Sequence, residues 1–272
     1  MPRNLQVVLK DMFMKFEDEY QSLIADGLAS FSRSEDIFED LKLSAKGIAC
    51  DFSLNYRTQI LKLISRIFAY WSLKSTNCFV HDDKVLLSPD TIENYHTKQD
   101  NEDGRPYLLK PHAAQVVAIW ILLNFQHEEY RILKNKFVQV LTGEDKSIIL
   151  GVTAIILAMM GCNVECVCYS EYLSSRDHGV FREIFDDFEV ESYIHYGTIR
   201  GTCHRILCGE GNLRGLTKDL VWGRLDKEPT PKRSKLQKRM KVLLVDEVDV
   251  FFKEDFYGNT NNPVWTCRHQ SI

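Results

Sequence analysis

Apolar residues recur along this chain with two different periods, and the change from one to the other divides it. In roughly the first hundred residues the spacing is helical. Leu5, Val8, Leu9, Met12, Phe13 and Phe16 fall at intervals that put them on one side of a helix. The stretch from Thr58 to Trp71 repeats the pattern more strongly, through Ile60, Leu61, Leu63, Ile64, Ile67, Phe68 and Trp71. Such stripes are packing faces, and no chemistry is assigned to them. Ser88 to Asp103 (SPDTIENYHTKQDNED) is polar and acidic and reads as an exposed loop or linker. The chain is therefore expected to divide into a mainly helical region over 1–104 and a second region over 105–272.

In the second region short apolar runs alternate with helical stretches. Pro106 and Pro111 precede an apolar helix over Ala113 to Phe125, interrupted by Gln115. Phe137 to Leu141 is rich in strand-forming residues and reads as a buried strand. Ile148 to Cys162 carries no charge, but it is shorter than the roughly 20 apolar residues a membrane-spanning helix needs. A helix that is apolar all round suits the core of an α/β domain. Asn163 to Tyr169 reads as a strand, with Ser170 capping the helix that follows. Ser192 to Tyr196 reads as another strand, with a turn at Gly197 and Thr198, then a helical run over Gly201 to Leu220. Val242 to Val245 is fully apolar, as a central parallel strand would be. Strands alternating with helices predict an α/β fold built on a parallel sheet.

Composition narrows the classes. The 272 residues are 44% hydrophobic and 26% charged, enough for a sizeable core. A net charge of -4 gives no bulk attraction to nucleic acid or to an anionic membrane. Eight cysteines spread over the length are too sparse for a disulfide scaffold, and no signal peptide precedes them, so reduced thiols in a cytosolic compartment are expected. Cys162, Cys166 and Cys168 lack a well-spaced second pair for zinc, and they read as buried strand residues. His195 and His204 read as structural or surface residues. The run Lys227, Lys232, Arg233, Lys235, Lys238, Arg239 and Lys241 reads as a solvated connection, with contact to an acidic partner, lipid or nucleic acid as the alternative.

Two stretches carry chemistry. Thr142, Gly143, Glu144, Asp145, Lys146 and Ser147 lie between the Phe137–Leu141 run and an apolar helix. In that setting backbone N–H groups and a helix N-terminus point at phosphates. Lys146 would neutralise the β/γ oxygens of a nucleoside triphosphate, and the Ser147 hydroxyl would hold Mg²⁺. About a hundred residues later Asp246 and Glu247 end an apolar strand. Asp246 would hold Mg²⁺ through water, and Glu247 would orient or activate the attacking water. Gln115, at the front of its helix, either reads an adenine edge or serves as an ordinary helix-start residue. The loop departs from the usual pattern: Val140 and Asp145 stand where glycines are customary. A carboxylate at Asp145 faces phosphate, and like charges near 4 Å repel by about 4 kcal/mol at an effective dielectric of 20.

Taken in order, these segments resemble the motor domain of the SecA family of preprotein translocase ATPases, in a divergent form. Pro111 to Gln115 (PHAAQ) resembles the family's adenine-reading motif, and Leu141 to Ser147 (LTGEDKS) its TGEGKT loop. Ser170 to Asp177 (SEYLSSRD) resembles NDYLAQRD, Tyr196 to Thr198 is YGT, and Val245 to Asp249 (VDEVD) contains the DEVD box. The resemblance spans roughly Arg105 to Asp255. It implies a RecA-like P-loop NTPase fold that binds ATP with Mg²⁺. It also implies coupling to the transport of unfolded preprotein polypeptide through a membrane translocon. The implied location is cytoplasmic and peripheral to a membrane, with no stable nucleic-acid partner. In the family a cross-linking domain and a second RecA-like fold with an arginine finger follow. They do not fit after Asp255, so the sequence is expected to be a partial member with slow turnover, since such a finger contributes about 10³ to 10⁵ in rate. Two other functions compete. Asp145 favours a degenerate ATPase fold kept as an interaction module. A nucleic-acid helicase half is disfavoured by the acidic balance, the DEVD box and the SEYLSSRD segment.

Overall fold

The computed structural model describes residues 3–30, 34–50, 56–75, 93–95, 107–123, 135–141, 145–208, 221–222, 239–248 and 250. Three helices come first: α1 (Arg3–Ser30), α2 (Ser34–Cys50) and α3 (Tyr56–Lys74). Each forms because one stripe of its surface is apolar. In α1 the buried stripe is Leu9, Met12, Phe16, Tyr20 and Ile24, while Val8 is exposed. The predicted face is thus rotated slightly toward the later residues. In α3 the second half is buried nearly all round, from Ile67 to Leu73. That is explained by its neighbours: α3 packs against α1, α2, α5 and β2.

Two short parallel strands follow, β1 (Glu93–Tyr95) and β2 (Tyr107–Leu109). The first falls inside the stretch expected to be an unstructured linker. Parallel pairing with Tyr107–Leu109 gives those residues the hydrogen-bond partners that their own polar sequence did not suggest. Next come α4 (Ala113–Leu122), α5 (Lys146–Met159), β3 (Cys162–Cys168), α6 (Glu171–Asp187), a 3-10 turn over Glu191–Tyr193, β4 (Ile194–Thr198), α7 (Ile199–Cys208) and β5 (Met240–Val245). The sheet order is β4-β3-β5, all parallel. This is the RecA-like α/β arrangement, a parallel sheet flanked by helices, preceded by a helical N-terminal region.

Three details differ from expectation. Residues 135–141 form no strand: Phe137 and Leu141 are exposed, while Val138 and Val140 rest against the core. The alternation is that of an extended chain, but no ladder partner hydrogen-bonds to it among the described residues. Gly197 and Thr198 do not make a turn. They are the last residues of β4, paired with Val167 and Cys168. Among the described residues β5 pairs only with β3, and Leu243 is 53% exposed, so this strand is covered on one face where burial on both was expected.

The all-apolar helix is a core helix. Every residue of α5 from Ile148 to Ala158 is buried. Gly151 has a packing reason. A Cβ there would meet the Phe181 ring of α6 at 2.6 Å, so the ring lies directly on the α5 backbone. Among the described residues no helix is long and apolar enough to cross a membrane.

The helical region and the sheet share one continuous core. Phe16 of α1 meets Phe68 of α3 and Trp120 of α4 edge-on, at 5.8 and 6.2 Å. The Tyr20 hydroxyl donates to Ser72 across 2.8 Å in the buried region. The Tyr70 hydroxyl donates to Asp187 at the end of α6 (2.6 Å), and Lys74 pairs with the same carboxylate at 3.1 Å. Burial first, and then that carboxylate, push the Tyr70 phenol above its usual range.

Arg239 corrects the reading of the basic run as wholly solvated. Its guanidinium lies 3.5 Å from the Tyr193 ring centroid and donates to the Ala158 and Cys162 carbonyls at 2.5 and 3.3 Å. It therefore caps the C-terminus of α5, where a cation complements the exposed carbonyls. We expect Gly151→Ala to lower the unfolding free energy by about 1–3 kcal/mol, because the new methyl overpacks against Phe181. The gain in helix propensity, about 1 kcal/mol, offsets only part of this. Denaturant unfolding of the two chains measures the difference.

Candidate functional site

Parallel strands place their C-terminal ends on one edge, and in open α/β sheets that edge is where ligands bind. Register fixes what arrives there. Val167 lies opposite Val245 on one side and Gly197 on the other, and Cys168 lies opposite Thr198. The Asp246 N–H continues the ladder by donating to the Val167 carbonyl at 2.9 Å. Asp246 and the start of α6 therefore emerge together at the end of β3.

Asp246 is partly buried, and its carboxylate accepts from the Glu247 N–H at 2.9 Å. Burial raises its pKa above the ordinary aspartate value, and the neighbouring Asp177 pushes the same way. The Glu247 N–H, Lys146 and Arg176 pull it back. Glu247 adopts φ 51°, uncommon outside glycine, in a turn closed by the Val250 N–H on the Glu247 carbonyl at 2.9 Å. Asp249, the last residue of the DEVD box, lies outside the described residues.

Lys146 and Ser147 form the first turn of α5, which Asp145 precedes with φ 51° and ψ 67°. That is the left-handed conformation that glycine adopts without cost and aspartate tolerates. The side chain of Asp145 makes no capping hydrogen bond to the helix. Thr142, Gly143 and Glu144 lie outside the described residues.

Two residues given no role in the sequence reading join the cluster from α6. Ser170 caps this helix, its hydroxyl accepting from the Leu173 N–H at 3.2 Å, as expected. One and a half turns later, Arg176 reaches the Ser147 hydroxyl, Nη2 to Oγ at 3.4 Å. Its Nε and Nη2 both contact one oxygen of Asp177, at 2.8 and 2.7 Å. Asp177 is 1% exposed, and its other oxygen has no hydrogen-bond partner among the described residues. The Asp177 bond is the main reason the Arg176 guanidinium holds its proton more tightly than usual. The signal for this pair was present as the Arg-Asp ending of SEYLSSRD, but no spacing rule says that one partner is buried.

Gln115 sits in the first turn of α4, a helix that packs on α5. It is buried, and its side-chain carbonyl accepts from the His112 N–H at 2.9 Å, closing the helix N-terminus. The three cysteines of β3 are packing residues. Cys162, Cys166 and Cys168 are free and buried, and burial pushes all three thiols up, Cys168 to about 12. Neutral thiols are poor metal ligands. No group of three or more metal-binding side chains occurs among the described residues.

As it stands, the edge presents a lysine, a serine hydroxyl, an arginine and a carboxylate pair, gathered from three elements. That set suits a phosphate-bearing ligand with a divalent cation. The chain matches the family model described as the SecA DEAD-like domain over residues 92–254. No curated protein and no solved structure matches it.

Asp246 sets a pH dependence. Its folded-state pKa lies above the unfolded value, so the folded chain holds the proton more tightly. Stability then falls as pH rises from the ordinary aspartate range through the raised value, and the loss persists above it. Asp246→Asn is expected to be more stable than the unaltered chain at neutral pH, with the gap closing in acid. Denaturant unfolding at several pH values measures this.

Proposed function

We infer the function from one premise: this chain belongs to the SecA DEAD-like domain family. Domains of that family bind ATP and serve protein transport. We propose that this chain is an ATP-binding motor domain that couples nucleotide binding and hydrolysis to the movement of unfolded polypeptide across or into a membrane. Its partners would be the transported preprotein and a membrane translocon, met from the cytoplasmic side.

The observation that supports the reading is that Lys146, in the first turn of α5, acts electrostatically on Asp246 at the end of β5, while Arg176 acts on Asp246 and also reaches Ser147. In this reading Lys146 neutralises the β/γ-phosphates, and backbone N–H groups of Thr142 to Asp145 cradle them. Ser147 and Asp246 hold Mg²⁺, the latter through water, and Glu247 positions the attacking water. The raised pKa of Asp246 supports this assignment, because a carboxylate beside a second buried carboxylate gains from a divalent cation. Gln115 reads the adenine, which would require its amide to turn from the α4 N-terminus. In this reading 105–272 is the nucleotide-binding region and 1–104 a mainly helical extension, whose helices α1 and α3 pack against α4 and α5 respectively.

One observation favours a second reading, a retired ATPase fold acting as an interaction module. It is the carboxylate of Asp145 in the loop, held in a glycine-like conformation. Calorimetric titration with ATP and ADP, with and without Mg²⁺, separates the two. The motor reading expects Mg²⁺-dependent binding that weakens about 10- to 100-fold in Lys146→Ala, the range for losing a charge-assisted hydrogen bond. Asp246→Asn should lose the Mg²⁺ dependence. Binding that is absent, or indifferent to Lys146, leaves the interaction module.

A further inference from the structure

Asp145 puts a negative side chain immediately before Lys146, at the N-terminus of α5. It is exposed, and its side chain makes no capping hydrogen bond to the helix. Polyphosphate arriving at this loop would meet a like charge, in addition to the backbone strain of a side chain at φ 51°. A loop with that defect needs a second cation close by to remain an anion site.

Arg176 is placed for that task. Its Nη2 lies 3.4 Å from the hydroxyl of Ser147, two residues beyond Asp145. Attraction to Asp145 is among the effects that strengthen its hold on its proton. Its position is also fixed from behind. Nε and Nη2 both rest on Asp177, whose side chain is 2% exposed while that of Arg176 is 51% exposed. A carboxylate buried to that degree strongly resists losing its partner. The Nε/Nη2 edge of the guanidinium is therefore anchored on Asp177, and Nη2 also reaches the Ser147 hydroxyl at the start of α5.

We propose that Arg176, anchored by Asp177, is the charge-compensating residue of this loop: it offsets the Asp145 carboxylate and so keeps the loop able to accept a nucleotide's polyphosphate. The proposal rests on the nucleotide-binding reading above. It differs from saying that Arg176 is simply one more phosphate ligand. A plain ligand contributes the same whether or not Asp145 is present. A compensating residue matters mainly while Asp145 is there.

Four versions of the full chain test this: unaltered, Asp145→Gly, Arg176→Gln and the double variant. Both positions are exposed, and thermal melting checks that each version folds. Each is titrated with Mg²⁺-ATP and Mg²⁺-ADP by calorimetry. Arg176→Gln alone is expected to weaken binding about tenfold or more, within the range of coupling between interacting charged residues. In the Asp145→Gly background the same change is expected to cost about twofold or less. An equal cost in the two backgrounds overturns the inference and makes Arg176 an ordinary ligand. If only the versions carrying Asp145→Gly bind, Arg176 does not compensate; the inference falls while the nucleotide reading of the fold survives. If none of the four binds either nucleotide, the nucleotide reading itself falls, and the inference with it.

Discussion

The parallel pairing of β3 is the constraint on which the rest depends. This strand is hydrogen-bonded on both sides, to β4 and to β5, and it is almost fully buried. A buried backbone must satisfy its N–H and C=O groups, so a strand in this position is fixed in register with both neighbours. Fixed register sets the level at which every following segment leaves the sheet. Asp246 leaves at the level of Val167 and Cys168, and Ser170 caps α6 just beyond. The crossover from β3 to β4 runs through α6, and its first turns therefore hang over the edge where the carboxylates end. Arg176 and Asp177 reach the site for that reason and not because of their distance in sequence from Ser147.

The charges at that edge are interdependent. Lys146 and Arg176 oppose what burial and Asp177 do to Asp246. Arg176 in turn answers to Asp177, Ser147 and Asp145. No single residue has a role that is separable from the others, since each is partly screened or partly desolvated by its neighbours. The pair of carboxylates, one fully buried and one half-buried, is the feature a divalent cation would relieve most.

Behind this edge, the helical region is not an appendage. The core passes without a break from α1 and α3 through Trp120 of α4 to α5 and the sheet. Polar contacts reinforce it at the far end of α6, where Tyr70 and Lys74 meet Asp187, and Lys46 pairs with Glu189 at 2.8 Å. The helix that brings Arg176 to the site is thus held at its other end by α3. A shift of the helical layer would be felt at the site through a rigid element.

By itself the sequence determined what depends on near neighbours. The helical stripes of α1 and α3, the buried α5, the strand at β3, the Ser170 cap and the order of the loop and carboxylate segments all arise from residues within a few positions of one another. Periodicity and capping are local, so they are legible in one chain. The tertiary structure decided whatever depends on distant partners. Residues 137–141 have strand composition but no ladder partner among the described residues, and a strand exists only when another backbone shares its hydrogen bonds. Glu93 to Tyr95 have polar composition and yet are paired. Arg239, one of a run of cations, is drawn inward because Tyr193 and the end of α5 offer it a ring and carbonyls. Asp177 stands in the sequence only as the last residue of the SEYLSSRD segment. Packing beneath the sheet edge buried its carboxylate, and that burial is what fixes Arg176 beside the loop.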